Sequence, residues 1–525
     1  MGTSEGPEVI VVGAGPTGLM LSRELALAGV QPRVVERRKT ATSESRALGL
    51  QARTLEVFDM RGLADEVVSE GNPIPRVRLS LGRSILNLKR LDTRFGQLHI
   101  TPQSRTEAIL ESQVAAMGVA VQRDTEVTGV EQKADHVMVR LRSGDREWEE
   151  RARWVVGCDG PRSVVRGSQG IGFPGYTYPY TIIVADVLVD EEPADPLLIH
   201  VGRHGLVVST DFGDGWFRMG VIDRKKPWSD EPLGIEEVRS TLTALFGRDI
   251  GPRDPSWTSR FRISERQATA YRKGRVLLAG DAAHIHSPLG GQGLNLGLQD
   301  AMNLGWKLAA VIRGDVPGDI LDTYEAERRP VSNGVIKATD IATRMMTSPK
   351  LAPRVLRQII VPLALRLGPA HQWLAGGLSG ISVRYHDADA PGRTAKNQTA
   401  KNQTGKNAGD NKAGKDPVAP GDRLPDIEIR RPGASPTSLF KELRTGRFVL
   451  VDQDGRSESA VQPWRDRVHV VSGRIPQPEF KGASAILSRP DGYCAWAGGP
   501  DDLDGLTDAL QRWAGQSLDV ARHRG

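Results

Sequence analysis

The stretch VIVVGAGPTGL, residues 9–19, restricts what this chain can fold into more than any other. Val9, Ile10, Val11 and Val12 form a short β-branched run, the pattern of a buried parallel strand. Gly13, Gly15 and Gly18 then fit G-x-G-x-x-G. The first glycine permits a tight turn, the second lets backbone approach a pyrophosphate, and the third lets a helix pack close to the strand. That helix is expected over residues 16–28, with Gly29 as its C′ residue. The turn residues Ala14, Pro16 and Thr17 stand where its free N–H groups and positive end meet phosphates. A second strand, Pro32–Val35, closes on Glu36 and Arg37, both assigned here to the cofactor site. Glu36 lies 18 residues past Gly18, about where a carboxylate takes ribose hydroxyls. The order strand, turn, helix, strand, acid predicts a dinucleotide-binding βαβ unit. NAD and FAD are not distinguished by it.

The chain is 525 residues long, enough for three or four domains, and its 39% hydrophobic content suffices for large cores. A net charge of +6 is scattered over many arginines with no long basic block, which argues against nucleic acid and for mild attraction of an anionic ligand. Only Cys158 and Cys494 occur, far apart and without CxxC, which suits a reducing cytoplasm. The first residues, MGTSEGPEVI, lack a charged segment followed by an apolar one, so no secretory signal is expected. No apolar run approaches the ~18 residues that span a bilayer. The nearest, Val355–Leu367, contains Arg357, Pro362 and Arg366 and is expected to be an amphipathic helix docked on the protein. Residues 394–417, with AKNQT twice in tandem, carry no apolar residue beyond alanine, so a solvated linker is expected.

A second informative run is GRVLLAGDAAHIHSPLGGQGLNLGLQDAMNLGWKL, residues 274–308. A strand ends at Ala279, and Gly280–Asp281 follow. An acid at a strand's carboxyl end can bond a sugar-like hydroxyl. The loop Pro288–Gly293 holds Gly290, Gly291 and Gly293, which let backbone approach a flat ligand. The following helix, about 294–313, aims its positive end back at that loop.

With these motifs the chain resembles the FAD-dependent aromatic-ring monooxygenases, the single-component flavoprotein hydroxylases. Three fingerprints carry the resemblance: GAGPTG at 13–18, CDGPRSVVR at 158–166 and GD at 280–281. In that family the first binds the ADP pyrophosphate, the second, with Asp159, lies near the pyrophosphate and the nicotinamide reductant, and the third holds the ribityl chain. Arg46 and Gln103, the latter just before a helix expected over 104–117, match an arginine and a glutamine that contact FAD. The tail is similar to the thioredoxin-like domain of hydroxylases acting on polycyclic aromatic polyketides, without the redox CxxC. The implied fold class is α/β: a Rossmann-like FAD-binding domain of the p-hydroxybenzoate hydroxylase type from residues 1–175 and 266–393, an inserted antiparallel substrate sheet at 176–265, the 394–417 linker, and a thioredoxin-like domain at 418–525.

The resemblance implies that NADPH, a transient reductant, reduces FAD, that O₂ then forms a flavin C4a-hydroperoxide, and that one oxygen passes to an aromatic ring carbon of a small polycyclic substrate. No second G-x-G-x-x-G follows a strand, so reduction in the same cleft is favoured. Pro288, Gly290, Gly291 and Asn295 are assigned to the reactive edge of the flavin, with Leu294 and Asn295 offering backbone N–H groups to its carbonyl. Arg53, Phe95, Tyr176, Arg203, Trp216 and Arg218 are candidate cavity residues. His200 and His204 are candidates for a substrate base. Asp186 alternates with apolar neighbours in IIVADVLV and is read as lying on the polar face of its sheet. His284-x-His286 suggests a metal, but alternate residues of an extended segment point oppositely and no third ligand is apparent, so no metal is expected. The rival readings are a Baeyer–Villiger oxygenase, a non-catalytic FAD-binding redox sensor and an FAD reductase or oxidase. A flavin halogenase is disfavoured because W-x-W-x-I is missing.

Overall fold

The computed structural model describes residues 6–42, 45, 47–79, 84–202, 205–213, 215–226, 228, 230–348, 350–385, 418–480 and 482–517. Arg46, Arg203, His204 and the 394–417 repeat lie outside the described residues.

The predicted βαβ unit is present: β1 is Val9–Val12, α1 is Pro16–Leu27 and β2 is Arg33–Val35. These strands belong to a six-stranded sheet. Parallel pairing runs from Val276–Leu278 through Trp154–Gly157, β1 and β2 to Val121–Gln122, and Arg272–Lys273 joins the edge antiparallel. All four β1 residues are buried, as a central parallel strand requires. The long helix Gly293–Arg313 packs along α1. Glycines make that approach possible: a Cβ on Gly297 would collide with Thr17 Oγ1, and one on Gly305 with Glu24 Cβ. The helix expected over 104–117 spans Gln103–Ala116, so Gln103 is its first residue rather than the one before it.

The inserted sheet is wider than predicted, with eight strands. Its centre is Arg253–Gln267, Gly175–Leu188, Trp216–Asp223, Gly205–Asp211 and Leu197–Val201, paired antiparallel. The hairpin Arg76–Leu79/Ser84–Asn87 extends one edge, and His284–Ile285 the other. Neither extension has the length or alternation that would announce a strand. The two faces follow the period of two. Ile183, Ala185, Val187, Phe217, Met219 and Val221 face the outer helix Ile235–Phe246. Ile182, Val184, Leu206, Ile222 and Ile263 form the inner face, together with Tyr178 and Leu289 of the glycine-rich loop. The helix Asp322–Thr347 lies over this inner face, with Met346 packed against it.

The C-terminal unit has strand order Val468–Ser472, Phe448–Asp452, Ala485–Ser488, Cys494–Gly498. The first pair is parallel and the other two are antiparallel. With the closing helix Leu503–Ala514 this is a thioredoxin-like arrangement. Asp452 ends the strand Phe448–Asp452, and its carboxylate accepts from Gly455 N–H and Ser457 N–H at 3.0 and 2.9 Å, where a redox loop would carry its thiols. Both cysteines are free, and burial pushes the Cys494 thiol far up, which leaves it inert.

Val355–Leu367 departs from the expected docked helix. Val361 and Leu365 pack inward, while Ile359, Leu363 and Leu367 are 60%, 61% and 64% exposed. From the π turn Leu356–Ile360 onward, Ile359, Leu363 and Leu367, spaced four apart, share an outward face. Among the described residues no helix is long and apolar enough to cross a membrane.

Candidate functional site

The cleft opens at the carboxyl ends of the parallel strands, where a doubly wound sheet binds ligands. Gly13 has φ of 101°, in the left-handed region, and its N–H donates to Val35 O at 2.8 Å, which closes the turn against β2. A Cβ at Gly18 would collide with Gly13 O, so only glycine fits there. At Gly15 the added Cβ would meet nothing within 4 Å. That open space lies in front of the first turn of α1, whose free N–H groups suit a pyrophosphate.

Glu36 is buried and rigidly held. Its carboxylate accepts from Ala14 N–H at 2.8 Å and from Arg38 N–H and Nε–H at 2.9 and 3.0 Å. Burial alone would raise this carboxyl, but the Arg38 bonds and the Ala14 N–H outweigh it and keep it below the usual carboxylate range. Arg38 clamps Glu36, while Arg37, expected at the cofactor site, is exposed.

The three fingerprints interlock. Gly13 lies against Cys158, where a Cβ would sit 2.5 Å from Cys158 O. Arg166 donates to Ala282 O at 2.8 Å, tying the second fingerprint to the third. Gly280, with φ of 61°, abuts Thr17. Asp159 Oδ2 accepts from Val165 N–H at 3.2 Å, while Oδ1 is buried without a protein partner, and burial raises its carboxyl. Beneath the GD turn sits a group that sequence reasoning missed. Asp300 accepts from Gly280 N–H at 3.1 Å and from Arg328 Nε at 2.7 Å, and pairs with His284 Nε2 at 2.6 Å, all fully buried. Burial pushes the Asp300 carboxyl up, but His284 and Arg328 outweigh it and hold it low. His284 is therefore a structural partner. Among the described residues no cluster of three metal-ligating side chains exists.

The loop at 288–293 takes the glycine conformations expected of it: Gly290 and Gly291 have φ of 100° and 60°, and Gly291 N–H donates to Pro288 O at 3.0 Å. Gly293, Leu294 and Asn295 form the first turn of the long helix, which leaves their N–H groups without intrahelical acceptors. The Asn295 side chain is committed elsewhere. Its Oδ1 accepts from Gln51 N–H at 2.8 Å, and its Nδ2 donates to Gly49 O and Gly291 O, each at 2.8 Å. It staples three segments. Gln103 is likewise a staple, accepting from Ala47 N–H at 3.2 Å and donating to Glu107 at 2.7 Å. It thereby braces the segment that carries Arg46. Asp281 is exposed at the cleft.

The candidate cavity residues do not gather in one place. Arg53 on α2 (Ala52–Asp59) is 1% exposed, paired with Glu56 at 2.9 Å, and donates to Asp491 O of the C-terminal unit. It belongs to a domain contact. Phe95 is buried in the main core under Arg94. Tyr176 is 47% exposed, edge-on to Tyr178 at 5.1 Å. Trp216 starts its strand, half-buried. Arg218 stands on the inner face of the sheet, paired with Asp186 through two bonds of 2.6 Å and flanked by Trp257 and Phe212. Asp186 is thus not on a solvated face of the sheet. His200 points outward, stacked with Phe246 and 3.1 Å from Leu245 O, because it occupies the opposite parity of its strand. It is removed from the cavity.

The βαβ unit, its open pyrophosphate space and the glycine loop over an inner sheet face define a flavoprotein fold with an inserted antiparallel sheet. The FAD binding domain profile matches residues 7–339, and the profile of the aromatic-ring hydroxylase C-terminal domain matches residues 418–517. The chain belongs to this family of FAD-dependent aromatic-ring monooxygenases. It is 38% identical over 530 residues to a 12-dehydrotetracycline 5-monooxygenase/anhydrotetracycline 6-monooxygenase of Streptomyces rimosus subsp. rimosus, covering 97% of this chain and 99% of the relative. The anhydrotetracycline hydroxylase structure from Streptomyces rimosus superposes with a TM-score of 0.84 at 36% identity, covering 97% of this chain and 99% of that one. An aromatic hydroxylase structure from angucycline biosynthesis gives a TM-score of 0.84 at 36% identity, covering 98% and 100%.

Proposed function

We propose that this flavoenzyme hydroxylates a phenolic ring of a polycyclic aromatic polyketide in antibiotic biosynthesis, with NADPH as transient reductant. Bound FAD supplies hydride acceptance and oxygen activation. The protein's part is to seat a flat substrate, exclude water and orient its oxygens. The observation that carries this reading is the pairing of Arg218 with Gly220 on the inner sheet face. Alternation puts Arg218, Gly220 and Ile222 on one side. Above Gly220 an added Cβ would meet only Val208 of its own sheet, at 3.7 Å or more, so the inner face is left bare for a flat ring. Beside it, Arg218 is 5% exposed, and its Nη1 has no protein partner. Asp186 fixes the guanidinium, and the free Nη1–H donors suit the keto or phenolate oxygens of a polyketide. Leu289, Tyr178 and Ile222 supply apolar walls.

Arg218→Lys keeps the charge beside Asp186 but loses the fixed fork. Its binding of anhydrotetracycline is expected to weaken about 10- to 100-fold, as for one hydrogen bond to a charged group. The visible flavin spectrum should not change. Titration of the wild-type and Arg218→Lys proteins with anhydrotetracycline, read by flavin absorbance, checks this. Equal affinities would remove Arg218 from the substrate site.

A further inference from the structure

Of the two histidines in HIH, His284 is absorbed by Asp300, while His286 takes no part in that network. Its ring is half-buried, and Nδ1 lies 2.7 Å from Ser287 O. A carbonyl oxygen can only accept, so Nδ1 carries the hydrogen. Nε2 is then a bare lone pair, and it is buried without a protein partner. Burial lowers this imidazole to about 4, so it is neutral at physiological pH. An unmade bond at a buried acceptor costs about 1–3 kcal/mol, so the site is incomplete as it stands.

The missing donor can be identified by chemistry. A Cβ on Gly293 would lie 3.5 Å from His286 Nε2 and 4.0 Å from Asp281 Oδ1. Both acceptors therefore converge on one spot, beside the first residue of the long helix. Pyrophosphate and flavin carbonyl oxygens only accept. The flavin N3–H is a lone donor between two carbonyls and cannot serve an imidazole and a carboxylate side by side, and the adenosine ribose is expected at Glu36. The ribityl chain of FAD is a run of adjacent hydroxyls, so it can offer one O–H to the imidazole and its neighbour to the carboxylate.

We propose that His286 Nε2 accepts a hydrogen bond from a ribityl hydroxyl of FAD beside the one facing Asp281, which makes His286 a cofactor-positioning residue. The inference rests on FAD occupying this cleft, not on the identity of the substrate.

The test is equilibrium binding to flavin-free protein, with FAD followed by fluorescence quenching and ADP, which has no ribityl chain, followed calorimetrically. For His286→Phe the Kd for FAD is expected to rise about 5- to 100-fold, the range of one unsatisfied hydroxyl. ADP should bind it as it binds wild type. In His286→Gln, a side-chain oxygen reaches the Nε2 position and should restore FAD binding to within about threefold. An unchanged FAD Kd in the Phe variant would overturn the proposal. So would a parallel loss of ADP binding, or a Gln variant as weak as Phe. Should the Phe variant fail to fold, His286→Asn, whose oxygen stops at the Nδ1 depth, takes its place with the same expected loss.

Discussion

Gly15→Val is expected to give a folded, colourless protein, whereas Gly18→Val gives none that folds. The two glycines belong to one motif but face opposite demands. Gly15 has φ of −79°, open to any residue, and free space above it. A valine there strains nothing in the chain, but its methyl groups fill the volume where the pyrophosphate must pass. Loss of close phosphate contact at a helix N-terminus, with direct overlap, should weaken FAD at least ~10³-fold, about 4 kcal/mol. The thermal midpoint should fall only by the stabilisation that bound FAD confers, ~3 kcal/mol at a hundredfold excess over Kd. Gly18 instead abuts Gly13 O, with Cys158 Cβ at 3.4 Å from an added Cβ, and the nearest atoms are backbone. Any side chain there pushes α1 off the sheet. Absorbance of the purified proteins near the flavin bands, with circular dichroism, separates the two outcomes. A yellow Gly15→Val protein would mean that the cofactor takes another path.

Glu327→Ala is expected to be the most destabilising single change outside the cofactor cleft. Glu327, on the helix Asp322–Thr347, accepts from Arg489 Nη1 at 2.6 Å and from Lys307 Nζ at 2.7 Å, with Asn303 Nδ2 at 2.7 Å. Arg489 also reaches Asp491 at 2.5 Å and lies over Trp513 and Trp306. All are buried, and they join the long helix to the C-terminal unit. Removing Glu327 strands the buried Lys307 and leaves Arg489 to Asp491 alone, which costs about 3–5 kcal/mol. Burial raises the Glu327 carboxyl, but Arg489 and Lys307 outweigh this and hold it well below the usual carboxylate range. With the folded pKa depressed, the stabilisation is complete above the ordinary carboxylate range and is lost as pH falls beneath it. Wild type should therefore lose thermal stability steeply in acid, and Glu327→Gln should lose less over the same range. Because the adjacent Arg328 holds Asp300 under Gly280, FAD release should accompany unfolding rather than follow it. A Glu327→Ala protein melting within a degree of wild type would refute the coupling. The expected loss would give the tail a structural role, in keeping with its lack of a CxxC.

What sequence made legible was local geometry. Gly13, Gly15 and Gly18 announce their turn because each answers a steric demand within a few residues, and the same holds for Gly290 and Gly291. The cofactor class followed from three such turns together. What remained hidden depends on contacts between distant segments or on side-chain parity. Arg53 was taken for a cavity residue, but its donor bond goes to Asp491, brought near only by the folded C-terminal unit. His200 and Arg218 both sit on strands of one sheet, and only the register shows that one faces the outer helix and the other the inner face. Asn295 lies where a catalytic residue was expected, yet its amide is taken by Gln51, Gly49 and Gly291. Asp186 reads in sequence only as lying on a polar sheet face, and its partner across the strands, Arg218, is supplied by the fold. Sequence offers His286 only as half of a metal pair with His284, whose ring pairs with Asp300.

The most direct test is the mass of the product formed from anhydrotetracycline and a panel of angucyclic phenols under ¹⁸O₂ with NADPH. A product carrying one ¹⁸O as a new ring hydroxyl, formed with NADPH consumption that depends on substrate, is the expected result. A product without label, or a label found in a hydrolysable lactone, would contradict a hydroxylase built around FAD in this cleft.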